Sequence, residues 1–248
     1  SLVFRLARPF DRIAFAGDLK QVINPSGFRW EDVKQKFYER GREPPEVRLL
    51  NLNFRSVGSI VRLANALLEL KQALVGLSGT EIREDWKFQG KPPFLVHGID
   101  EEEVLRRARI TGAGRIILVR DGSEQRRLKG LLASELVFTI HEAKGLEFDA
   151  VLLWKFGRDR KAGEIWRRIL RGEIPASEHA PHIRHELNLL YVAVTRTRNA
   201  LILYDGPEAS EIWEANLLRE LVHRTSEKEV LSGLWDRAST PEQWREQG

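Results

Sequence analysis

Residues 139–147 hold the side chains of this sequence that are best suited to chemistry. They include a hydroxyl, an imidazole, an ammonium, a glycine and a carboxylate, at Thr139, His141, Lys144, Gly145 and Glu147. The apolar runs at 136–138 and 150–154 are short and rich in β-branched and aromatic side chains, which predicts buried strands of a parallel sheet. A polar turn after such a strand is where open α/β sheets bind ligands. The simpler alternative is a solvated loop that carries a few charges.

Three further polar segments follow predicted strands or close a predicted helix. They are Gly-Asp-Leu-Lys-Gln at 17–21, Asn-Phe-Arg-Ser at 53–56, and Tyr-Val-Ala-Val-Thr-Arg-Thr-Arg at 191–198. Arg55 and Arg196, one from each of the last two segments, have a planar fork of donors that suits phosphate oxygens. The alternative for both is a surface salt bridge.

Apolar periodicity predicts strands and helices that alternate along most of the chain. The predicted strands are 12–17, 47–52, 94–97, 115–120, 136–140, 151–154 and 201–204, and the predicted helices are 31–40, 60–70, 101–109, 124–132, 164–170 and 183–196. Ser56 or Ser59 is expected to cap the second helix. The alternation predicts an α/β fold with a parallel, doubly wound sheet flanked by helices. Residues 77–93 are expected to be an excursion or insertion, and the chain after residue 206 is expected to be all helical.

Composition limits the class of protein. No apolar run reaches the roughly 20 residues that span a bilayer and no signal peptide pattern is present, so we expect an intracellular protein (cytoplasm, nucleoid or nucleus) with no membrane partner. With no cysteine, disulfides and thiolate metal sites are excluded. The net charge of +4 and the basic cluster between residues 106 and 129 permit a polyanionic partner, although most such clusters are solvated helix faces. Because the chain has no methionine, we expect a fragment or processed product of a longer protein.

In their order and spacing, the four polar segments resemble motifs three to six of the superfamily-one helicases of the UvrD/Rep/PcrA type. The family patterns are GDxxQ, NYRS, TxHxxKGLE and YVAxTRA, and the resemblance runs from about residue 12 to residue 204. Phe54 stands where the family has tyrosine, and Thr197 where alanine is common. Residues 27–33 and 244–248 further resemble the helicase-like region of tetratricopeptide- and ankyrin-repeat proteins.

The resemblance implies a RecA-like fold of the P-loop NTPase type, divided between two domains. Residues 1–45 would be the tail of the first RecA-like domain, and residues 46–206 most of the second. Residues 207–248 would be a C-terminal helical extension that leads toward helical repeats. The implied partners are the N-terminal RecA-like domain of the same protein, those repeats, and a strand of single-stranded DNA along which the motor moves 3′ to 5′. RNA remains an alternative track, because no residue is seen that reads the ribose 2′-hydroxyl.

The resemblance also implies ATP and Mg²⁺ as cofactors, bound between the two domains. Arg196 would be the arginine finger, and Arg55 a second contact to the γ-phosphate. Gln21 would contact the γ-phosphate or the attacking water. Glu147 would accept a hydrogen bond from the ribose, with a local cap as its alternative role.

The remaining site residues follow from the same resemblance. Gly145 belongs to the ATP-binding turn, and Asp18 either lies in that site or orders its own turn. Thr139 and His141 would donate to strand phosphates without reading sequence. Phe28 and Trp30 stand where the family places stacking aromatics, with helix packing as the alternative for Trp30. His141 is not expected to bind a metal, because no second histidine or carboxylate stands at ligand spacing.

The sequence departs from the family in two respects. It contains no GxxxxGK[ST] phosphate loop and no motif-two carboxylates, so this chain alone is not expected to hydrolyse ATP. The missing parts, including the Mg²⁺ ligands, are expected upstream of Ser1. The stretch between Arg55 and Thr139 lacks room for the extra domain that UvrD-type helicases insert there. A non-catalytic helicase-like scaffold, or a module that only binds nucleic acid, remains the rival function.

Overall fold

Helices and strands are interspersed along the chain from residue 52 onward. The computed structural model describes residues 34–35, 37–39, 51–76, 83–108 and 112–231. The helices are α1 (Gly58–Val75), α2 (Glu101–Arg107), α3 (Gly122–Leu132), α4 (Arg160–Leu170), α5 (Ala180–Thr195) and α6 (Asn216–Arg219). The strands are β1 (Leu52–Asn53), β2 (Asp85–Trp86), β3 (Phe94–Val96), β4 (Arg115–Val119), β5 (Val137–Thr139), β6 (Phe148–Trp154), β7 (Thr197–Tyr204) and β8 (His223–Thr225). Short 3-10 helices span Phe156–Arg158, Ala176–His179 and Glu211–Glu214.

Six of these strands form one parallel sheet in the order β5-β4-β6-β7-β3-β8. β1 and β2 pair with each other, also in parallel, as a separate two-stranded ribbon. The strand order is not the chain order, so the connections cross over the faces of the sheet and carry the helices there. The expected α/β fold, a parallel sheet flanked by helices, is confirmed.

Two apolar cores cover the two faces of the sheet. Successive side chains of a strand point to opposite faces, and β4 shows the division clearly. Ile116 and Leu118 belong to the core that α1, α4 and α5 cover, whereas Ile117 and Val119 belong to the core that α2 and α3 cover. All four side chains are at most 1% exposed. A strand buried on both faces needs a continuous apolar run, which is why β4 and β6 were visible in the sequence.

Helix α5 is the most deeply buried helix of the described chain. Its side chains from Glu186 to Val194 are all buried, because the helix packs against both α1 and the sheet. A helix that is apolar on nearly all sides is expected in such a position. α5 ends at Thr195, so it delivers the following Arg196 to the sheet edge where β7 begins.

The predicted cap of α1 is wrong. The helix begins after Val57, which makes no capping bond with its side chain. The hydroxyl of Ser56 instead donates to the carbonyl of Thr197 at 2.8 Å, and that of Ser59 donates to the carbonyl of Lys91 at 2.5 Å. The two hydroxyls therefore bond to carbonyls of neighbouring segments and not to amides of the first helical turn. They attach the start of the helix to those segments.

The expectation that only helices follow residue 206 is also wrong. β8 pairs in parallel with β3 and extends the sheet. Between β7 and β8 the helical turns are short. Trp213 in one of them is buried, and its indole nitrogen donates to Asp205 at 2.7 Å, which holds this segment against the end of β7. Asp205 also accepts from the amide of Gly157 at 2.9 Å, which links it to the turn after β6.

Several expectations fall outside the described residues. They concern Gln21, Asp18, Phe28 and Trp30, the strand at 12–17, and the helical chain expected after residue 231. The divisions of the chain at residues 45 and 206 remain predictions, although the sheet continues past the second of them to Thr225. Within the described ranges, no helix has the length and apolarity to cross a membrane.

Candidate nucleotide and strand sites

Three polar segments that are distant in the sequence meet where β6 and β7 begin. The amide of Phe148 donates to the carbonyl of Arg196 at 2.9 Å, which joins the segments around residues 145 and 196. The amide of Val57 donates to the carbonyl of Arg198 at 2.9 Å, and Ser56 bonds to Thr197 as described above. The turn at 53–56, the last residues of the turn at 139–147 and the end of α5 therefore lie together where β6 and β7 begin.

Arg55 and Glu147 form an ion pair at this edge. The Nη1 of Arg55 donates to the Oε1 of Glu147. The Arg55 side chain is 52% exposed and that of Glu147 is 29% exposed, so both groups stand at the surface of the edge. An accessible guanidinium beside a carboxylate acceptor is chemically suited to phosphate oxygens and ribose hydroxyls.

Asn53 shapes the turn that presents Arg55. Its side-chain oxygen accepts from the amides of Arg55 and Ser56, both at 2.9 Å, which is an Asx turn. Its side-chain nitrogen donates to Glu84 at 2.8 Å, and the hydroxyl of Tyr191 donates to the other oxygen of Glu84 at 3.3 Å. Glu84 thus links the Arg55 turn to α5.

The guanidinium of Arg196 faces inward, unlike that of Arg55. The residue is 1% exposed. Its Nε donates to the carbonyl of Val192 at 3.1 Å, its Nη1 to the carbonyl of Leu146 at 3.0 Å, and its Nη2 to the Thr195 hydroxyl at 3.3 Å. The alternative role for Arg196 required a side chain at the surface, and this side chain is buried. The side chain ties the end of α5 to the residue before Glu147.

The connection from β5 to β6 is unusually short for a parallel crossover. Ile140 and Ala143 are fully buried and hold it to the sheet face. Gly145 has a φ of +91°, and a Cβ there would meet nothing within 4 Å. The glycine is required by its backbone conformation and not by lack of space.

Thr139 and His141 lie at the other edge of the sheet, where β5 ends. Thr139 pairs with Val119, whereas Ala150 near the start of β6 pairs with Arg115. At about 3.3 Å per residue, the length of β4 alone separates the two edges by roughly 13 Å. The structure therefore brings Arg55, Glu147, Gly145 and Arg196 together and keeps Thr139 and His141 apart from them. His141 is exposed, and Thr139 is partly buried.

Glu142 is a contact of Thr139 that sequence reasoning did not single out. One oxygen of Glu142 accepts from the amide and the hydroxyl of Thr139 and from the Nε2 of Gln125. These donors lower the pKa of Glu142 below its ordinary value, the Thr139 amide most of all. A Thr-x-x-Glu spacing could have suggested the local part of this arrangement. The spacing does not indicate the contribution of Gln125.

Sequence reasoning also missed the positions that order the region around Arg55 and Glu147. Asn53 is of a residue type whose side chain often accepts from the amide two positions later, so its role had a local signal. Glu84 had none, because it lies in the irregular segment before β3 and reaches Asn53 and Tyr191 only through the tertiary fold. Within the described ranges, no group of three or more histidine, cysteine, aspartate or glutamate side chains could hold a metal ion.

Comparisons with known proteins give the class of this region. Residues 113–205 match the family model of the UvrD-like helicase C-terminal domain. The match covers β4 to the end of β7 and so includes Glu147 and Arg196, whereas Arg55 lies before it. This segment is thus similar to the UvrD-like helicase C-terminal domain, as the sequence motifs indicated.

Individual relatives are similar over different shares of the chain. The TPR and ankyrin repeat-containing protein 1 of Homo sapiens is 27% identical over 288 aligned residues, which cover 94% of this chain and 10% of that protein. This chain therefore spans about a tenth of the length of that relative. Among solved structures, the C-terminal domain of a possible DNA helicase from Lactobacillus plantarum WCFS1 has a TM-score of 0.45 and 20% identity, covering 71% of this chain and 99% of that one.

Proposed function

We propose that this chain is the C-terminal part of an ATP-dependent superfamily-one helicase or translocase that acts on single-stranded nucleic acid, with DNA as the track and 3′ to 5′ as the direction. One observation carries the proposal: Arg55 and Glu147, assigned to one nucleotide site from separate motifs, are in direct contact. Arg196 donates to the carbonyl of Leu146, which precedes Glu147, so the segment at 191–198 also reaches this ion pair.

The residues at this edge fit an ATP molecule in part. Arg55 offers an exposed cationic fork, and Glu147 offers an acceptor for a ribose hydroxyl. Bound ATP supplies the phosphoanhydride bond whose hydrolysis would drive movement. For both side chains to contact a nucleotide, their mutual ion pair has to open. Arg196 requires a larger change, because its guanidinium must leave two backbone carbonyls before it can stabilise charge on a phosphoryl group.

Two parts of the machinery would come from outside this chain. The phosphate loop and the carboxylates that hold Mg²⁺ are absent from the sequence. They belong to the first RecA-like domain, which we place in the longer parent protein. The activity to be tested is therefore that of the parent, with this chain contributing Arg55, Glu147 and Arg196.

A second candidate is a helicase-like scaffold without catalysis. The observation in its favour is the burial of Arg196, whose guanidinium already has structural acceptors. A purely structural arginine is expected to look like this. An exposed Arg55 has no such explanation, because a half-exposed ion pair adds little stability.

The deciding experiment is steady-state ATPase of the full-length parent with and without single-stranded DNA and RNA, at two salt concentrations. Stimulation by one type of strand supports a motor and identifies its track. The matched variants are Arg55→Ala and Arg106→Ala, since both arginines are exposed members of surface ion pairs. We expect the first to abolish turnover and the second to leave it unchanged. No ATPase under any condition, together with tight strand binding that weakens with salt, would support the scaffold.

A further inference from the structure

A cluster of three hydrogen-bond donors converges on a single oxygen at the end of β5. The Oε2 of Glu142 accepts from the Thr139 amide at 2.8 Å, from the Thr139 hydroxyl at 3.0 Å and from the Nε2 of Gln125 at 2.6 Å. A backbone amide, a hydroxyl and a side-chain amide around one anionic oxygen are the groups that commonly hold phosphate oxygens in nucleic-acid complexes. The carboxylate of this chain thus lies in a place that suits an oxyanion.

The donors are held by contacts that do not involve Glu142. Thr139 is fixed by its pairing with Val119 in the sheet. Gln125 projects from α3, and its Nε2 also donates to the carbonyl of Val137 at 2.9 Å. Because an amide nitrogen carries two hydrogens, Gln125 can keep this anchor while the second hydrogen serves an anion. The donor set would therefore remain in place if the Glu142 carboxylate moved away.

The surroundings of the cluster favour negative charge. The charge of Lys129, on the same helix as Gln125, helps to lower the pKa of Glu142, after the larger effect of the donors themselves. Glu142 is exposed, so its side chain can leave without opening the core. The cluster also stands at the carboxyl end of a parallel strand, where α/β sheets bind ligands.

From this geometry we propose that the Thr139 amide and hydroxyl, together with Gln125, form a site for one phosphodiester group of the strand, and that Glu142 is a built-in competitor that fills it. The proposal rests on the proposed function, because it assigns the strand to the Thr139 edge. It adds Gln125 as a strand contact and assigns to Glu142 the role of lowering the affinity for the strand. Strand binding would replace a carboxylate oxygen with a phosphate oxygen.

The test is binding of a fluorescein-labelled 20-mer of oligo(dT) to the 248-residue chain, followed by anisotropy at low and moderate salt. We expect Glu142→Ala to tighten binding by roughly three- to tenfold, because the competing anion is gone. The matched control is Glu102→Ala, which also removes one negative charge, from an exposed side chain on α2. It should change the affinity by less than about twofold.

Further variants separate competition from loss of structure. Glu142→Gln removes the charge but keeps the side-chain length, so the turn should still form in this variant. It should also bind the strand more tightly than the wild type. Adding Gln125→Ala to Glu142→Ala should remove the gain. A purely structural Glu142 predicts the reverse, weaker strand binding in both Glu142 variants alongside a lowered melting temperature.

The outcomes for the two proposals differ. If the wild type binds the strand and neither Glu142 variant binds it more tightly than Glu102→Ala does, the competitor is rejected and the proposed function stands. If neither the wild type nor any variant binds the strand, and Thr139→Val leaves the ATPase rate of the parent unchanged, both the competitor role of Glu142 and the proposed function are rejected. If Glu142→Ala gains affinity but the parent shows no ATPase, only the motor function is rejected.

Discussion

Arg55 and Glu147 stand 92 positions apart in the sequence and form an ion pair beside the start of β6. The pair joins a turn that Asn53 organises to a turn that Gly145 ends. The pair is partly exposed, so it contributes little to the stability of the fold. Glu147 follows Leu146, whose carbonyl accepts from the buried Arg196. The contrast between one exposed and one buried arginine leads to separate expectations for each.

Arg55→Ala is expected to separate function from stability. Because the ion pair is about half exposed, its loss should lower the free energy of unfolding by about 1 kcal/mol or less. In the parent, loss of a γ-phosphate arginine should lower the ATPase rate by roughly 10³-fold or more. Urea unfolding of this chain and steady-state ATPase of the parent measure the two effects. Unchanged ATPase would remove Arg55 from the nucleotide site.

Arg196→Ala is expected to damage the fold as well as turnover. The guanidinium bonds to two carbonyls and a hydroxyl inside the protein, so the variant should lose about 2–4 kcal/mol of unfolding free energy. Arg196→Lys should recover only part of the stability, because an ammonium can bond to some of these acceptors but not to all of them. Denaturant midpoints of this chain decide the stability effect. Nucleotide binding and turnover are then compared only for variants that are folded at the assay temperature. A midpoint equal to that of the wild type would contradict the structural role.

Asn53→Ala should disturb the presentation of Arg55. The substitution removes two acceptor bonds and one donor bond of the turn and should cost about 1–3 kcal/mol. Asn199→Ala is the matched control, because Asn199 is exposed and its side chain makes one 3.2 Å bond to Asp149. Amide hydrogen exchange at Arg55 and Ser56 should accelerate in the first variant alone. Equal exchange in both variants would refute the Asx turn as the device that orders Arg55.

Gly145→Ala should destabilise the chain although there is space for the added methyl. The φ of +91° is unfavourable for an L-residue, so we expect a loss of about 1–2 kcal/mol. Gly130→Ala is the control, because Gly130 lies in α3 with open space around it and with no positive φ. In a helix, alanine should raise the stability by about 0.5–1 kcal/mol. Two thermal melts test the pair, and a shift of the same sign in both would contradict the backbone argument.

Acid should weaken the fold through Glu103. The side chain of Arg107, followed by that of Arg106, lowers the pKa of Glu103 from 4.5 to about 2. Because the folded pKa lies below the unfolded one, this group stabilises the fold above the unfolded value. The contribution is lost as the pH falls from about 4.5 to about 2. Glu103→Gln should therefore flatten the fall of the urea midpoint in that window, whereas Glu102→Gln, on the same helix, should not. Parallel curves for wild type and Glu103→Gln would argue against the ion pairs.

The regular elements and the motif turns could be predicted from the sequence because their signals are local. β4 and β6 are buried on both faces, which requires a continuous apolar run, and the periodicity of α1 and α5 marks their packed faces. The turn residues carry local signals as well, such as Asn53 before Arg55. The motifs also indicated the UvrD-like helicase C-terminal class, which the match over residues 113–205 bears out.

The tertiary structure alone decided which of those residues meet. Because β5 and β6 both run parallel to β4, the turn that connects them spans from one end of the strands to the other, with Thr139 at the carboxyl end of β5 and Glu147 at the amino end of β6. The serines expected to cap α1 bond across to other segments, β8 joins the sheet, and Arg196 lies inward. Each of these outcomes depends on contacts between elements far apart in the chain, and hydrophobic spacing along a sequence specifies which face of an element is buried but not which neighbour covers it.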